Sequence, residues 1–201
     1  MSTSRLCAAL ESSLRTSPQW ASDVLNFWFN MTPQQWFAGG PETDTACHKY
    51  LHIYEQLAAN PPKASNAAVA LAAIITLDQL PRNLFRGTAR AFATDGAALA
   101  LTRASLENKF DADLAPSEKP FLYMPLMHSE NLADQAECCA LLNALADATG
   151  GRHERIGAEF ALDHYNIIER FGRFPHRNAV LGRENTEAET KFITEHKGFG
   201  Q

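Results

Sequence analysis

Residues 66–81 read "NAAVALAAIITLDQLP", and the way this stretch is apolar decides the fold. From Ala67 to Leu77 the run is apolar on every face but for Thr76, so it reads as a helix buried all round rather than a surface helix with one apolar stripe. It falls well short of the roughly 20 residues needed to cross a bilayer. Ser65 or Asn66 supplies a cap at its start, and Pro81 is expected to stop it near Leu80. The first carboxylate after the run is Asp78, in the last turn, where the helix dipole disfavours a negative charge. A cation or hydrogen-bond donors must therefore reach it.

Helical patterns flank this segment on both sides. Ser17-Pro18 opens "PQWASDVLNFWFN", with Trp20, Val24, Phe27 and Trp28 at helical spacing, and Trp36 and Phe37 join them as an aromatic core. "TACHKYLHIYEQLAA" runs to the Asn60-Pro61-Pro62 stop. Thr94 or Asp95 is expected to cap a helix to about Lys109, and "SEKPFLYMPLMHSE", with its prolines, reads as short helical turns. Ser129 or Asn131 begins a long helix closed by Gly150, and the next ends at Gly172. Thr186 and Glu189 form a capping box for the last one. No stretch alternates convincingly between hairpin signals, so the chain reads as all-α. About seven to nine helices with short loops fit stacked antiparallel helical hairpins in a single domain, residues 18–201, after an N-terminal tail or short helix over 1–17.

Composition narrows the function classes. The 201 residues are 45% hydrophobic and 20% charged, with a net charge of -5, which is a folded globular composition. That acidity excludes a general nucleic-acid binder, which needs a positive face, and no segment suits a membrane span. The four cysteines, Cys7, Cys47, Cys138 and Cys139, have no CxxC spacing and form no disulfide framework, so a reducing, cytoplasmic location is expected. No nucleophile elbow, phosphate loop or dinucleotide fingerprint is present, and no cofactor is expected.

Arginine is distributed unevenly. Seven of the twelve fall in "PRNLFRGTAR" (Arg82, Arg86, Arg90) and "RFGRFPHRNAVLGR" (Arg170, Arg173, Arg177, Arg183), where lysine is absent. Guanidinium groups make planar, two-pronged contacts with carboxylate or phosphate, so this concentration points to pairing. One reading is structural: Asp78, Asp95, Glu130, Asp134 and Glu169 pair with the arginines and pin loops to helices. The other is functional. Arg82, Asn83, Arg86, Arg173, Arg177 and Asn178 would then hold an anionic small molecule or a peptide carboxylate, while His128 or His176, oriented by Asp78 or Glu130, serves as acid or base. His164 belongs to the same polar set, but the histidine spacings lack the pattern that places metal ligands on one helical face, so no metal is expected.

Three stretches, "LDQLPRNLFRGTARAFATD" (77–95), "FLYMPLMHSE" (121–130) followed by Asp134-Gln135, and "RFGRFPHRNAVLGR" (170–183), resemble domain-of-unknown-function family 924, a family of mostly bacterial proteins. "VLNFWF" (24–29) fits its opening helix, so the resemblance covers residues 24 to about 192. Departures are small: Leu80 stands where phenylalanine is usual, and Asn185 where serine is more common. The resemblance implies an all-helical, tetratricopeptide-repeat-like superhelix. It implies no activity. Its three motifs coincide with the Arg, His and carboxylate clusters, and they are expected to meet in space, either around a ligand or, as an interaction module, around a peptide end.

Overall fold

The computed structural model describes residues 6–37 and 39–195; residues 1–5 of the expected tail and the side chain of Phe37 lie outside them. Among the described residues there is no strand. The α-helices are α1 (Ala8–Leu14), α2 (Gln19–Phe29), α3 (Pro33–Phe37), α4 (Pro41–Cys47), α5 (Leu51–Ala59), α6 (Ala67–Ile74), α7 (Leu80–Leu84), α8 (Asp95–Glu107), α9 (Lys119–His128), α10 (Leu132–Thr149), α11 (Arg152–Phe171) and α12 (Glu187–Glu195). A 3-10 turn joins α4 to α5, and a π-helical turn joins α6 to α7, so these segments form ten helical rods, one more than the seven to nine expected.

Every residue of α6 is buried, and it packs against α1, α2, α8 and α9 at the centre of the molecule. Asn66 caps it by accepting from the Val69 amide at 2.9 Å. Around it, Trp28, Phe29, Trp36 and Phe121 meet edge to face, with ring centroids 5.0–6.2 Å apart. This is the geometry that aromatic quadrupoles favour. Helix α1 docks on the same core through Leu10, which is fully buried, and the buried Glu118 accepts from the Cys7 amide at 2.9 Å. Helices α9, α10 and α11 pack successively on one another, α10 and α11 turning at Gly150, whose φ of 63° suits glycine.

Four local expectations are corrected. Pro81 does not end the central helix. Lacking an N–H, it cannot donate the bond that the Leu77 carbonyl would accept, and the Thr94 hydroxyl donates there instead at 2.5 Å. The chain then passes through the π-helical turn Ile75–Gln79 into α7. Thr94 makes no side-chain cap bond at the start of α8, and α2 begins one residue later than expected, with Pro18 rather than Ser17 at the cap position, the Ser17 hydroxyl donating to the Ser13 carbonyl at 2.9 Å. Finally, "KPFLYMPLMH" is one continuous helix with Pro125 inside it, not a set of short turns. Residues 121–128 of it are all buried.

Candidate functional site

The π-helical turn holds Asp78 with no exposure at all. Such turns recur at functional positions because the extra residue re-aims side chains. The Asp78 carboxylate meets His128 Nδ1, at the end of α9, at 2.8 Å, and Arg82 Nη2 at 3.4 Å; the Gln79 amide donates to it as well. Burial opposes ionisation of Asp78. The Arg82 charge and the His128 contact outweigh it, holding the carboxyl below the usual range. His128 is pushed down from its ordinary value, first by burial and then by Arg82, against the pull of Asp78. At neutral pH the pair is thus a carboxylate and a neutral imidazole. Because a carboxylate only accepts, the imidazole proton lies on Nδ1 and the lone pair on Nε2. No described residue hydrogen-bonds Nε2.

Arg82 is fully engaged at its tips. Nη1 donates to the Asp78 carbonyl at 2.6 Å and to Asp95 at 3.0 Å, and Nη2 donates to Asp95 at 3.2 Å. Asp95, at the start of α8, also reaches Arg177 Nη1 at 3.4 Å. Arg177 stands in the 3-10 turn Pro175–Arg177, projected there after Gly172 ends α11 with φ 68° and Pro175 turns the chain. Its Nη1 donates to the His128 carbonyl at 3.1 Å, and its guanidinium carbon lies 4.7 Å from the Phe92 ring centroid and 4.5 Å from that of Phe174. Although Arg177 is only 5% exposed, no described residue accepts from its Nε or Nη2. Burial, then Arg82, lowers its pKa to about 10.

Two more histidines border the site. His164 on α11 lies 6.3 Å from His128, ring to ring, and is pushed down to about 3, mainly by burial; its Nδ1 binds the Phe160 carbonyl at 2.7 Å. His176 is lowered to about 4 by burial and then by Arg177. It lines a small surface cleft together with Arg82, Arg86 and Phe92.

The structure thus brings Asp78, Arg82, His128, His176 and Arg177 together. The remaining candidates are placed otherwise. Asn83 is buried on α7 and, like Asp44, accepts from Arg86 at the cleft's edge. Glu130 orients no histidine: its oxygens accept from Arg183 at 2.7 and 2.9 Å and from the Phe174 amide at 2.7 Å. Arg173 turns away to Glu189, and the fully buried Asn178 bonds Asn185 at 2.7 Å. Of the structural ion pairs expected, Asp134 pairs with Arg103 outside the clusters, and Glu169 accepts from Tyr165. Sequence reasoning assigned Asp95 to pairing alone and did not single out Phe92, Phe174 or Gln79. Their only signal was adjacency to the charged motifs. Among the described residues no group of three or more His, Cys, Asp and Glu could hold a metal ion, and no helix is long and apolar enough to cross a membrane.

Residues 24–197 match the family described as "Bacterial protein of unknown function (DUF924)". A solved structure of a protein of unknown function from Agrobacterium tumefaciens is similar, with a TM-score of 0.79 and 33% identity, covering 89% of this chain and 98% of that one. No curated protein matches. The three motifs that converge on the Asp78–His128 pair all lie inside the matched span, and with a match over most of its length the chain belongs to the DUF924 family of bacterial proteins.

Proposed function

We propose that this protein binds a small anion at Arg177 and acts on it by proton transfer through His128. The observation that carries the reading is the side-on edge of Arg177: its buried Nε has no acceptor and its Nη2 bonds no described residue, whereas Arg82 and Arg183, whose buried Nε groups are also unpaired, have Nη2 engaged. A buried donor left unpaired costs about 1–3 kcal/mol, and an anion would supply the acceptor. Beside it, Asp78 fixes the imidazole of His128 with the Nε2 lone pair unshared, which is the arrangement of an acid–base group oriented by a carboxylate. Arg82 contributes by holding Asp78 and Asp95 in place rather than by receiving the ligand, since its tips are taken. The four thiols are unbridged, which fits a cytoplasmic setting.

Thermal denaturation with acetate, sulfate and inorganic phosphate, each at roughly 10 mM, tests binding by mass action. The expected result is a rise in melting temperature for at least one anion, abolished in Arg177→Met. A melting temperature unmoved by every anion removes the reading.

A further inference from the structure

Resting on that anion-site reading, the geometry of the Arg177 fork and the charge count around it identify the ligand class more closely. In a guanidinium, Nε–H and Nη2–H point the same way and form one side-on fork, spaced to match the two oxygens of a carboxylate. The chain shows such a pair a few residues away: Arg173 Nε and Nη2 donate to the two oxygens of Glu189 at 2.7 and 2.8 Å. On Arg177 the same edge has no acceptor, while the opposite tip, Nη1, is committed to Asp95 and the His128 carbonyl. Phe92 and Phe174 cover the guanidinium. A planar group continuing the guanidinium plane avoids these rings, whereas a tetrahedral phosphate places two oxygens out of that plane, toward apolar surface.

Charge sets the second condition. Arg82 and Arg177 are balanced by Asp78 and Asp95, and His128 is neutral. One further negative charge, desolvated in this setting, leaves an uncompensated anion unless a proton enters with it. The groups around the imidazole are Asp78 on the π-helical turn, Arg82 on α7, Asp95 on α8, His164 on α11, and His176 and Arg177 on the 3-10 turn. Of these, His164 keeps its Nδ1 on the Phe160 carbonyl and Asp78 is held by Arg82 and Gln79. His176 stands beside Arg177, whose charge and its own burial oppose a proton there, which leaves His128 Nε2, bonded by no described residue, as the proton acceptor beside Asp78.

We propose that the ligand is a monocarboxylate seated on the Nε/Nη2 edge of Arg177, and that its binding is matched by uptake of one proton at His128 Nε2. The site is then a carboxylate site that arms an acid. The protonated His128, beside the bound molecule, holds the proton that the reaction would transfer.

Titration calorimetry of the full chain at neutral pH, in two buffers of different ionisation enthalpy, tests this with acetate and inorganic phosphate as probes. Acetate is expected to bind with close to one proton taken up per site, phosphate at least about tenfold more weakly, a difference of about 1.4 kcal/mol. His128→Gln should still bind acetate, more weakly and without proton uptake. Acetate binding with no proton uptake in the wild type, or phosphate binding as tightly as acetate, overturns the proposal while leaving an anion site standing. Binding of neither probe defeats the anion site itself. Should the variant fail to fold, the wild-type proton count decides alone.

Discussion

Arg173, Arg177 and Arg183 lie in one short stretch after α11, yet the fold treats them differently. Arg173 and Arg183 each grip a glutamate from elsewhere with two prongs, Glu189 and Glu130, and the grips tie α12 and the post-helical corner to the body of the protein. Arg177, the most buried of the three, has the poorest set of acceptors: one carboxylate oxygen at 3.4 Å and one carbonyl. Two-pronged ion pairs hold this corner together, although Arg183 leaves its own buried Nε without an acceptor. Arg177 reaches His128 through Nη1, at the backbone carbonyl. Under the proposed reading, the unfilled fork is kept for a ligand and the filled ones for the fold.

The largest effect should come from the shared anchor. Asp78→Ala leaves Arg82 facing a buried gap on one side and frees His128 to rotate, and breaking a buried pair by removing one partner costs about 3–5 kcal/mol. Chemical denaturation followed by circular dichroism measures it; a loss below about 1 kcal/mol would show that Asp95 alone holds the arginines. Next comes Glu130→Ala. It removes two bonds from Arg183 and the one accepting from the Phe174 amide, for a loss of about 2 kcal/mol at this half-buried position. If the two corners differ as described, Glu130→Ala should leave anion-induced thermal shifts intact and Asp78→Ala should not.

Much of the fold was legible because its signals are local. Asn66 and Asn131 accept from amides of their own helices, Gly150 and Gly172 take left-handed conformations, and Thr186 and Glu189 cap each other. Pro81 misled because its local rule depends on what happens elsewhere: a hydroxyl from Thr94 satisfies the carbonyl it strands. Pro125 likewise sits within a helix whose residues 121–128 are buried by tertiary packing. The same limit governs the site. Clustered arginines announce that pairing occurs, and the charge of Asp78 requires a partner, but nothing in the sequence distinguishes Arg177 from Arg173. That distinction depends on Glu189 reaching one and no carboxylate reaching the fork of the other.

A pH titration sharpens the comparison from the imidazole side. His164 and His176 are held down, to about 3 and 4, chiefly by burial, so the folded state binds fewer protons than the unfolded one below the ordinary histidine value of about 6.5. Their contribution is complete above that value and is lost progressively as pH falls toward 4. Each should weaken the folding constant by up to tenfold per pH unit across that window. His164→Gln should flatten the slope by one proton, as read from denaturation midpoints at pH 5 and 6.5. An unchanged slope would mean that His164 charges freely in the native state.

The smallest stability effect is expected at Arg177 itself, and it separates the two kinds of arginine most directly. Arg177→Met keeps a side chain of similar reach between Phe92 and Phe174, removes the unpaired Nε, and leaves Asp95 with both its bonds to Arg82. Replacing a poorly satisfied buried ion by a packed apolar residue is often neutral or favourable, so stability should change by no more than about 1 kcal/mol in either direction. Arg183→Met strips the Glu130 carboxylate of its cation and should cost more, while leaving the Arg177 fork untouched. Denaturation curves for the two variants, run beside thermal shifts with acetate, give the contrast. A stable Arg177→Met that no longer responds to acetate, with a weakened Arg183→Met that still does, is the pattern of one arginine kept for a ligand and one kept for the fold. The reverse order of stabilities would make Arg177 part of the structural network, with its open fork no more than slack in the packing.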